Sequence, residues 1–553
     1  MSASSKKKLR KENAAELLTE KQRKEQAEAK KLRNISIAFV CIMLVVALAA
    51  AAILIVRGVN NSGVIDRNTV AAVTGDHELN SVQMNYYFTD YVRSMYQQWK
   101  SAYGDSTATY VKMLFGLDLN QPLNKQEYEK GVTWADHFLK EAYNKAKSDY
   151  ALYDKAMAEG FKLSKEDQSA LDSSKQTLEI YAMYYGYKNP SKYLQANYGF
   201  GSDLESYMEY SRVVAIANGY YNQYKDALTY DDAAIREHEK DKYNNYTSYS
   251  YATYYVGRTD YLVGGTKDDK GNTVYSDAEK EAAIKEAERV ANELAQNKTL
   301  EELDKAIAAL PINKDKKDPA ATTKNSKILY PGITDCLQSW LSDANRAEND
   351  IAVIADEVTT KDAEGKETKT LNGYYVVVFQ GKNENLRPLA NVRHLLVQFE
   401  GGTTGSDGKK VYTDAEKAKA KEEAEKLLKE WEDGKATEES FGELANAKSD
   451  DNNGKVTNGG LYEDIRQGQM VKSFEDWCFA EGRKAGDTDI IETEYGYHVM
   501  YYSSTDEMTY RDTMIEADLR AEDTEKWHDA LIEKTPSKII SLSLMDMDYI
   551  IEK

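Results

Sequence analysis

The 553-residue sequence predicts an α+β protein with a single N-terminal transmembrane helix, a helical lobe and two tandem α+β domains. Three observations carry this reading. Residues 35–56 form an uncharged apolar run of 22 positions. From Ser81 to about residue 245 apolar side chains recur mostly at helical spacing. Two later segments repeat each other at an offset of 137 residues. Hydrophobic residues make up 41% and charged residues 30%, with only 7 prolines, which suits packed cores and long helices and argues against wholesale disorder. The 92 Asp+Glu outnumber the 72 Lys+Arg, for a net charge of −20, which argues against nucleic-acid binding. Three cysteines cannot make a disulfide framework and read as free thiols.

Residues 1–34 hold 11 Lys/Arg against 5 Asp/Glu, a cytoplasmic basic segment by the positive-inside rule. The run that follows is long enough to cross a hydrocarbon core of about 30 Å, so 35–57 is expected to be a transmembrane anchor. A cleavable signal peptide is the rival reading, but Ala49–Ala52 lead into Ile53, Leu54, Ile55 and Val56 rather than a polar mature start. The bulk of the chain is then extracytoplasmic. Residues 58–69 are short and polar and read as a linker. Residues 70–246 begin with a short strand and turn, then become helical, with turn signals at Asn189–Pro190 and Gly199–Phe200–Gly201. Tyrosine is over-used, 41 against 11 Phe and 6 Trp, and concentrates between Tyr181 and Tyr224. These rings either pack helix against helix or present an aromatic surface that holds unfolded chains.

The repeat aligns Val274–Tyr275–Ser276–Asp277–Ala278–Glu279–Lys280 with Val411–Tyr412–Thr413–Asp414–Ala415–Glu416–Lys417. Ser276 with Glu279 and Thr413 with Glu416 are capping boxes that start a helix in each copy. Gly373–Tyr374–Tyr375–Val376 parallels Gly496–Tyr497–His498–Val499 at the end. The copies are placed at 247–387 and 388–505: a strand opens each, helices follow, and closing strands complete a small sheet. Residues 506–553 are expected to be amphipathic helices docking on the 70–246 lobe.

The second copy carries the chemistry. Alternation along Asn391–Val392–Arg393–His394–Leu395–Leu396–Val397 puts His394 on one sheet face and Leu395 on the other. Ser449–Asp450–Asp451, Asn458–Gly459–Gly460–Leu461, Gly468–Gln469–Met470–Val471–Lys472–Ser473–Phe474 and Thr493–Glu494–Tyr495–Gly496–Tyr497–His498 follow in order. This succession resembles the parvulin family of peptidyl-prolyl isomerases over about 117 residues. The larger plan resembles the PrsA-type extracytoplasmic foldases, with a weaker likeness at Val73–Thr74–Gly75. The resemblance implies that His394 and His498 face each other behind a catalytic pocket, with Asp451 and Thr493 beside them. Met470 and Phe474 would take the proline ring, with Leu461 as a wall and Tyr495 as a further substrate contact. The usual G-G-D-L-G reads Gly459–Gly460–Leu461–Tyr462–Glu463 here. No basic cluster follows the opening strand, only Phe399–Glu400–Gly401–Gly402, which points away from phosphopeptide selectivity.

The resemblance implies a peptidyl-prolyl cis–trans isomerase and chaperone for exported polypeptides with X–Pro bonds, without cofactor or metal. Two His and one Asp are also a possible metal set, but no third His or Cys lies nearby in sequence. In the first copy the histidine positions read Thr253 and Tyr375, so a parvulin-like fold without activity is expected. The competing reading is a non-catalytic holdase or assembly scaffold whose parvulin site is vestigial.

Overall fold

The computed structural model describes residues 3–16, 20–314, 316, 318, 320–361, 366–405, 408–540 and 549–552. The chain divides into two compact units, 1–228 with 523–553, and 229–522.

In the first unit the apolar run lies inside one helix, Glu20–Asn61, whose window Ile42–Val59 is apolar and long enough to span a membrane and has no buried residue. Part of the expected linker is the end of that helix, and Val64–Asn68 is a further short helix. The break falls at Gly63, whose φ of +67° favours glycine. Gly63 meets Gly201 so closely that a Cβ on it would overlap that backbone. The segment 62–69 is therefore held rather than loose, and Arg67 adds an ion pair to Asp203 at 3.4 Å.

Strands Val70–Thr74 and His77–Asn80 form the expected hairpin. A third strand, Ser537–Ile539, pairs antiparallel with the first, Ala72 facing Ile539. This corrects the expectation of helix through the C-terminal segment: after Tyr510–Lys534 the chain becomes extended. Helices Ser81–Tyr103, Trp134–Ala158 and Leu204–Ala227 build the main core with Tyr87, Phe88, Trp99, Phe138 and Val213. Tyrosine occurs both packed between helices and exposed on the surface. The Tyr86 ring centroid lies 5.2–5.3 Å from those of Tyr198, Tyr207 and Tyr210. Tyr181, Tyr184 and Tyr185, at the end of helix Lys165–Tyr184 and just past it, are exposed instead, Tyr184 by 80%. Trp527 stacks on Tyr224 with centroids 3.7 Å apart.

The second unit holds two four-stranded antiparallel sheets of the same order. In the first, Ser248–Gly257 and Glu367–Asn383 are central, with Thr323–Leu329 and Ile351–Lys361 at the edges. In the second, Pro388–Gln398 and Gly496–Thr509 are central, with Leu461–Ile465 and Thr488–Glu492 at the edges. Both capping boxes form, opening helices Asp277–Leu294 and Asp414–Glu432. Each capping glutamate also accepts from a loop glycine N–H, Gly265 in one copy and Gly402 in the other.

The expected limits at 246 and 506 shift. Residues 229–246 and the first half of the Tyr510–Lys534 helix belong to this second unit. Arg511, fully buried, ties them: its guanidinium pairs with Glu239 and donates to the carbonyls of Tyr243 (2.5 Å) and Glu384 (3.2 Å). A buried arginine needs this full set of partners, because an unpaired buried charge is strongly destabilising.

Candidate active site

Register brings the two histidines together. His394 faces Met500 and Leu396 faces His498 across the central strand pair. His394 and Leu396 share a face, so His498 joins His394 as a diagonal neighbour on it. The other face packs Leu395, Val397 and Val499 under the helices. Glycine secures the histidine strand from its edge. The Gly460 carbonyl accepts from the His394 N–H at 2.9 Å. A Cβ on Gly460 (φ +64°) would strike the His394 carbonyl.

The side chains form one relay. His394 Nδ1 lies 3.1 Å from His498 Nδ1, and His498 Nε2 lies 3.0 Å from Thr493 Oγ1. Asp451 Oδ2 sits 3.4 Å from His394 Nε2, a close approach without hydrogen-bond alignment. A single direction satisfies every member in its neutral form. Thr493 O–H donates to His498 Nε2, His498 Nδ1–H donates to His394 Nδ1, and His394 Nε2–H is left facing Asp451. The reverse direction would aim a nitrogen lone pair at a carboxylate.

Asp451 is placed by its loop. Ser449 Oγ accepts from the Leu396 N–H (3.0 Å) and from the Asp451 N–H (3.2 Å), while Asp450 N–H donates to the Leu396 carbonyl at 2.8 Å. These bonds lace the loop to the histidine strand. His394 beside it, with a hydrogen bond from Tyr462 O–H at 3.0 Å, holds the Asp451 carboxyl down at about 2 despite partial burial. Burial pushes the Tyr462 hydroxyl up to about 12, with Asp451 adding to the shift. Burial first, and then His394, hold His498 down at about 3, so it stays neutral.

The apolar part departs from expectation. Phe474, on the short helix Lys472–Cys478, is 1% exposed, and its ring stands edge-on to His394 (5.5 Å) and His498 (5.6 Å). It fills the space against the relay instead of lining an open slot. Met470 is half-buried at the edge of the same cluster. Leu461 pairs with Arg393 and so lies on the opposite sheet face. Its neighbour Tyr462 takes the wall position, with its ring 4.6 Å from that of His394. The G-G-L motif directed attention one residue short. Tyr495, in the turn after Thr488–Glu492, is 55% exposed and joins the site through its backbone N–H to Thr493 Oγ1. The histidines are 2% and 6% exposed, so the accessible rim belongs to Met470, Tyr462 and Asp451.

The equivalent positions of the first sheet hold no relay. Thr253 faces Val377 and Tyr255 faces Tyr375, the same register as His394–Met500 and Leu396–His498. Tyr375 packs on Tyr255, whose hydroxyl donates to Asp356 at 2.8 Å.

Residues 394–504 match the family model of the rotamase, PPIC-type PPIase domain. The foldase protein PrsA of Exiguobacterium sibiricum is 35% identical over 78 residues, 14% of this chain and 24% of that protein. The chain thus spans about a quarter of the length of that curated relative. Among solved structures, the peptidylprolyl isomerase PrsA from Bacillus anthracis shares 21% identity over 27% of this chain and 59% of its own, with a TM-score of 0.17. PrsA from Bacillus subtilis shares 20% over 30% and 56%, with a TM-score of 0.19. The family match and the curated relative agree with the parvulin-type, PrsA-like resemblance carried by the motifs.

Proposed function

We propose that this chain is a parvulin-type peptidyl-prolyl cis–trans isomerase and chaperone that assists exported polypeptides outside the cytoplasmic membrane, held there by residues 35–57. The reading rests chiefly on one observation: within the stretch that matches the PPIC-type domain, Thr493, His498 and His394 form a hydrogen-bonded relay that ends 3.4 Å from Asp451 and is backed by Phe474.

Rotation about an X–Pro amide meets a barrier of about 18–20 kcal/mol because twisting ends the conjugation between nitrogen and carbonyl. The planar amide carries negative charge on its oxygen, and the twisted amide carries less. An ionised Asp451 beside that oxygen disfavours the planar form more than the twisted one, which lowers the barrier. The two histidines and Thr493 hold the carboxylate's surroundings in one arrangement, so reorganisation at the crossing is small. Met470 and Tyr462, over a floor of Phe474, offer the proline ring an apolar rest. No bond to the client forms and no cofactor takes part.

The sheet of 248–383, with the same strand order but Thr253 and Tyr375 in place of the histidines, is read as a second parvulin-like module without activity. The exposed tyrosines near 184 are read as client-holding surface of the lobe.

A proline-peptide isomerisation assay on the full-length chain in detergent tests the enzyme. His394→Ala with Asp451→Asn should lower kcat/KM about 100-fold, the loss of one or two hydrogen bonds to charged groups. Retention of the full rate in that double variant would refute the site. A rate no higher than background in the unaltered protein would favour the pure holdase.

A further inference from the structure

The edge strand of the first sheet meets the second module at Gly468. This strand, Thr323–Leu329, is irregular where Tyr249 faces Ile328 and Tyr251 faces Asn325, so Ser326 and Lys327 together stand opposite Ser250. Such a bulge commonly seats a glycine in the left-handed region. Here it seats Lys327, at φ +56°, with its N–H donated to Ser250 Oγ at 3.1 Å. A lysine in this conformation is strained, and such residues gather where function uses them.

The bulge carries the Lys327 side chain onto Gly468, where any Cβ would overlap its ammonium end. Gly468 adjoins the rim of the relay site along the chain. It stands two residues before Met470, and its N–H donates at 2.5 Å to Glu475, which neighbours Phe474. The carboxylate that Gly468 meets, Glu475, is engaged by its N–H. Lys327 is exposed and makes no ion pair among the described residues. A cation without an ion pair thus lies against Gly468, two residues before Met470, in a chain whose net charge is −20.

We propose that Lys327 is a specificity-determining residue: the histidine-free module lends the isomerase module an ammonium group that reads a client carboxylate adjacent to the proline. This rests on the isomerase reading above. It gives the first module a use in recognition without any relay of its own.

The test uses the full-length chain and short peptide pairs that differ only by Glu against Gln next to proline, placed before it or after it. The Glu peptide of one pair should be preferred about 3-fold in kcat/KM at low salt, the size of an exposed ion pair. The preference should fade in 0.5 M salt, where exposed charges are screened. Lys327→Met should bring the Glu/Gln ratio to one and Lys327→Glu below one, with the Gln peptide unchanged. Lys327→Gly should raise thermal stability by relieving the bulge and yet lose the preference. A Glu/Gln ratio that none of these variants moves would overturn the proposal. If no peptide is isomerised at all, the isomerase reading fails, and the same ratio read as Kd from Trp fluorescence still decides the lysine's role. Equal Kd values for Glu and Gln peptides would dismiss it.

Discussion

At the residue scale, the unusual group is a neutral histidine in a buried relay. His498 titrates near 3 in the fold against an ordinary value of 6.5. Its contribution to stability is complete above about 6.5 and drains as pH falls toward 3, because only the unfolded chain takes up the proton there. Asp451, held near 2 against 3.8, acts in the same direction at lower pH. In His498→Phe, the slope of unfolding free energy between pH 6 and pH 4 should flatten by about 1.4 kcal/mol per pH unit, one proton's worth. Denaturant titrations at several pH values measure it, and an unaltered slope would show that His498 is not held neutral. Neither Asp451 nor His498 changes state between pH 5 and pH 8. The apolar pair divides by burial. Phe474→Ala should cost about 3–5 kcal/mol through the cavity it leaves. Met470→Ala, at the rim, should leave stability within about 1.5 kcal/mol and raise KM instead. Equal stability losses in the two variants would contradict this division.

At the element scale, legibility followed the physics of each signal. The capping boxes at Ser276 and Thr413 were readable because both partners lie three residues apart in sequence. The sheet face of His394 was readable because strand alternation has a period of two, whereas its pairing with His498 came from the parvulin resemblance. That period also explains the miss at Leu461, since a shift of one residue moves a side chain to the other face. Tyr462 gave no signal of its own, because its role comes from Asp451 across the loop. The burial of Phe474 was equally silent, for it depends on how closely a seven-residue helix approaches the relay. The 58–68 segment, helical on both sides of a break at Gly63, was hidden by glycines and asparagines that read as a tether. Its order comes from the approach of Gly63 to Gly201. Gly201→Ala would set a methyl against Val82 and the Gly63 backbone. It should destabilise the lobe by about 1–3 kcal/mol, measurable by thermal melting. An unchanged melting temperature would show that the segment is not held there.

At the scale of the whole molecule, the two tasks read from the chain are separable by deletion. Removing 388–505 would cut the Gly496–Thr509 strand, so the better excision ends at Thr509 and leaves the Tyr510 helix intact. Substituting Tyr184 and Tyr185 by Ser should weaken suppression of client aggregation several-fold, because large exposed rings carry most contact energy. It should leave proline isomerisation unaltered. Loss of both activities together would show that holding and isomerising share a surface. The net charge of −20 should favour basic clients, and their binding should weaken with salt more than that of neutral ones.

The pairing of Ala72 with Ile539 sets a timetable for biogenesis. The ribosome makes the first of these residues long before the second, and the inserted modules lie between them. Those modules have all their own strands early, but the lobe's three-stranded sheet must wait for residues 537–539 to emerge. Until then its middle strand has one open flank, a ready place for wrong partners or a protease. A chain truncated shortly before Ser537 would leave that flank open for good, and its lobe would mature incompletely even though every histidine of the relay was present.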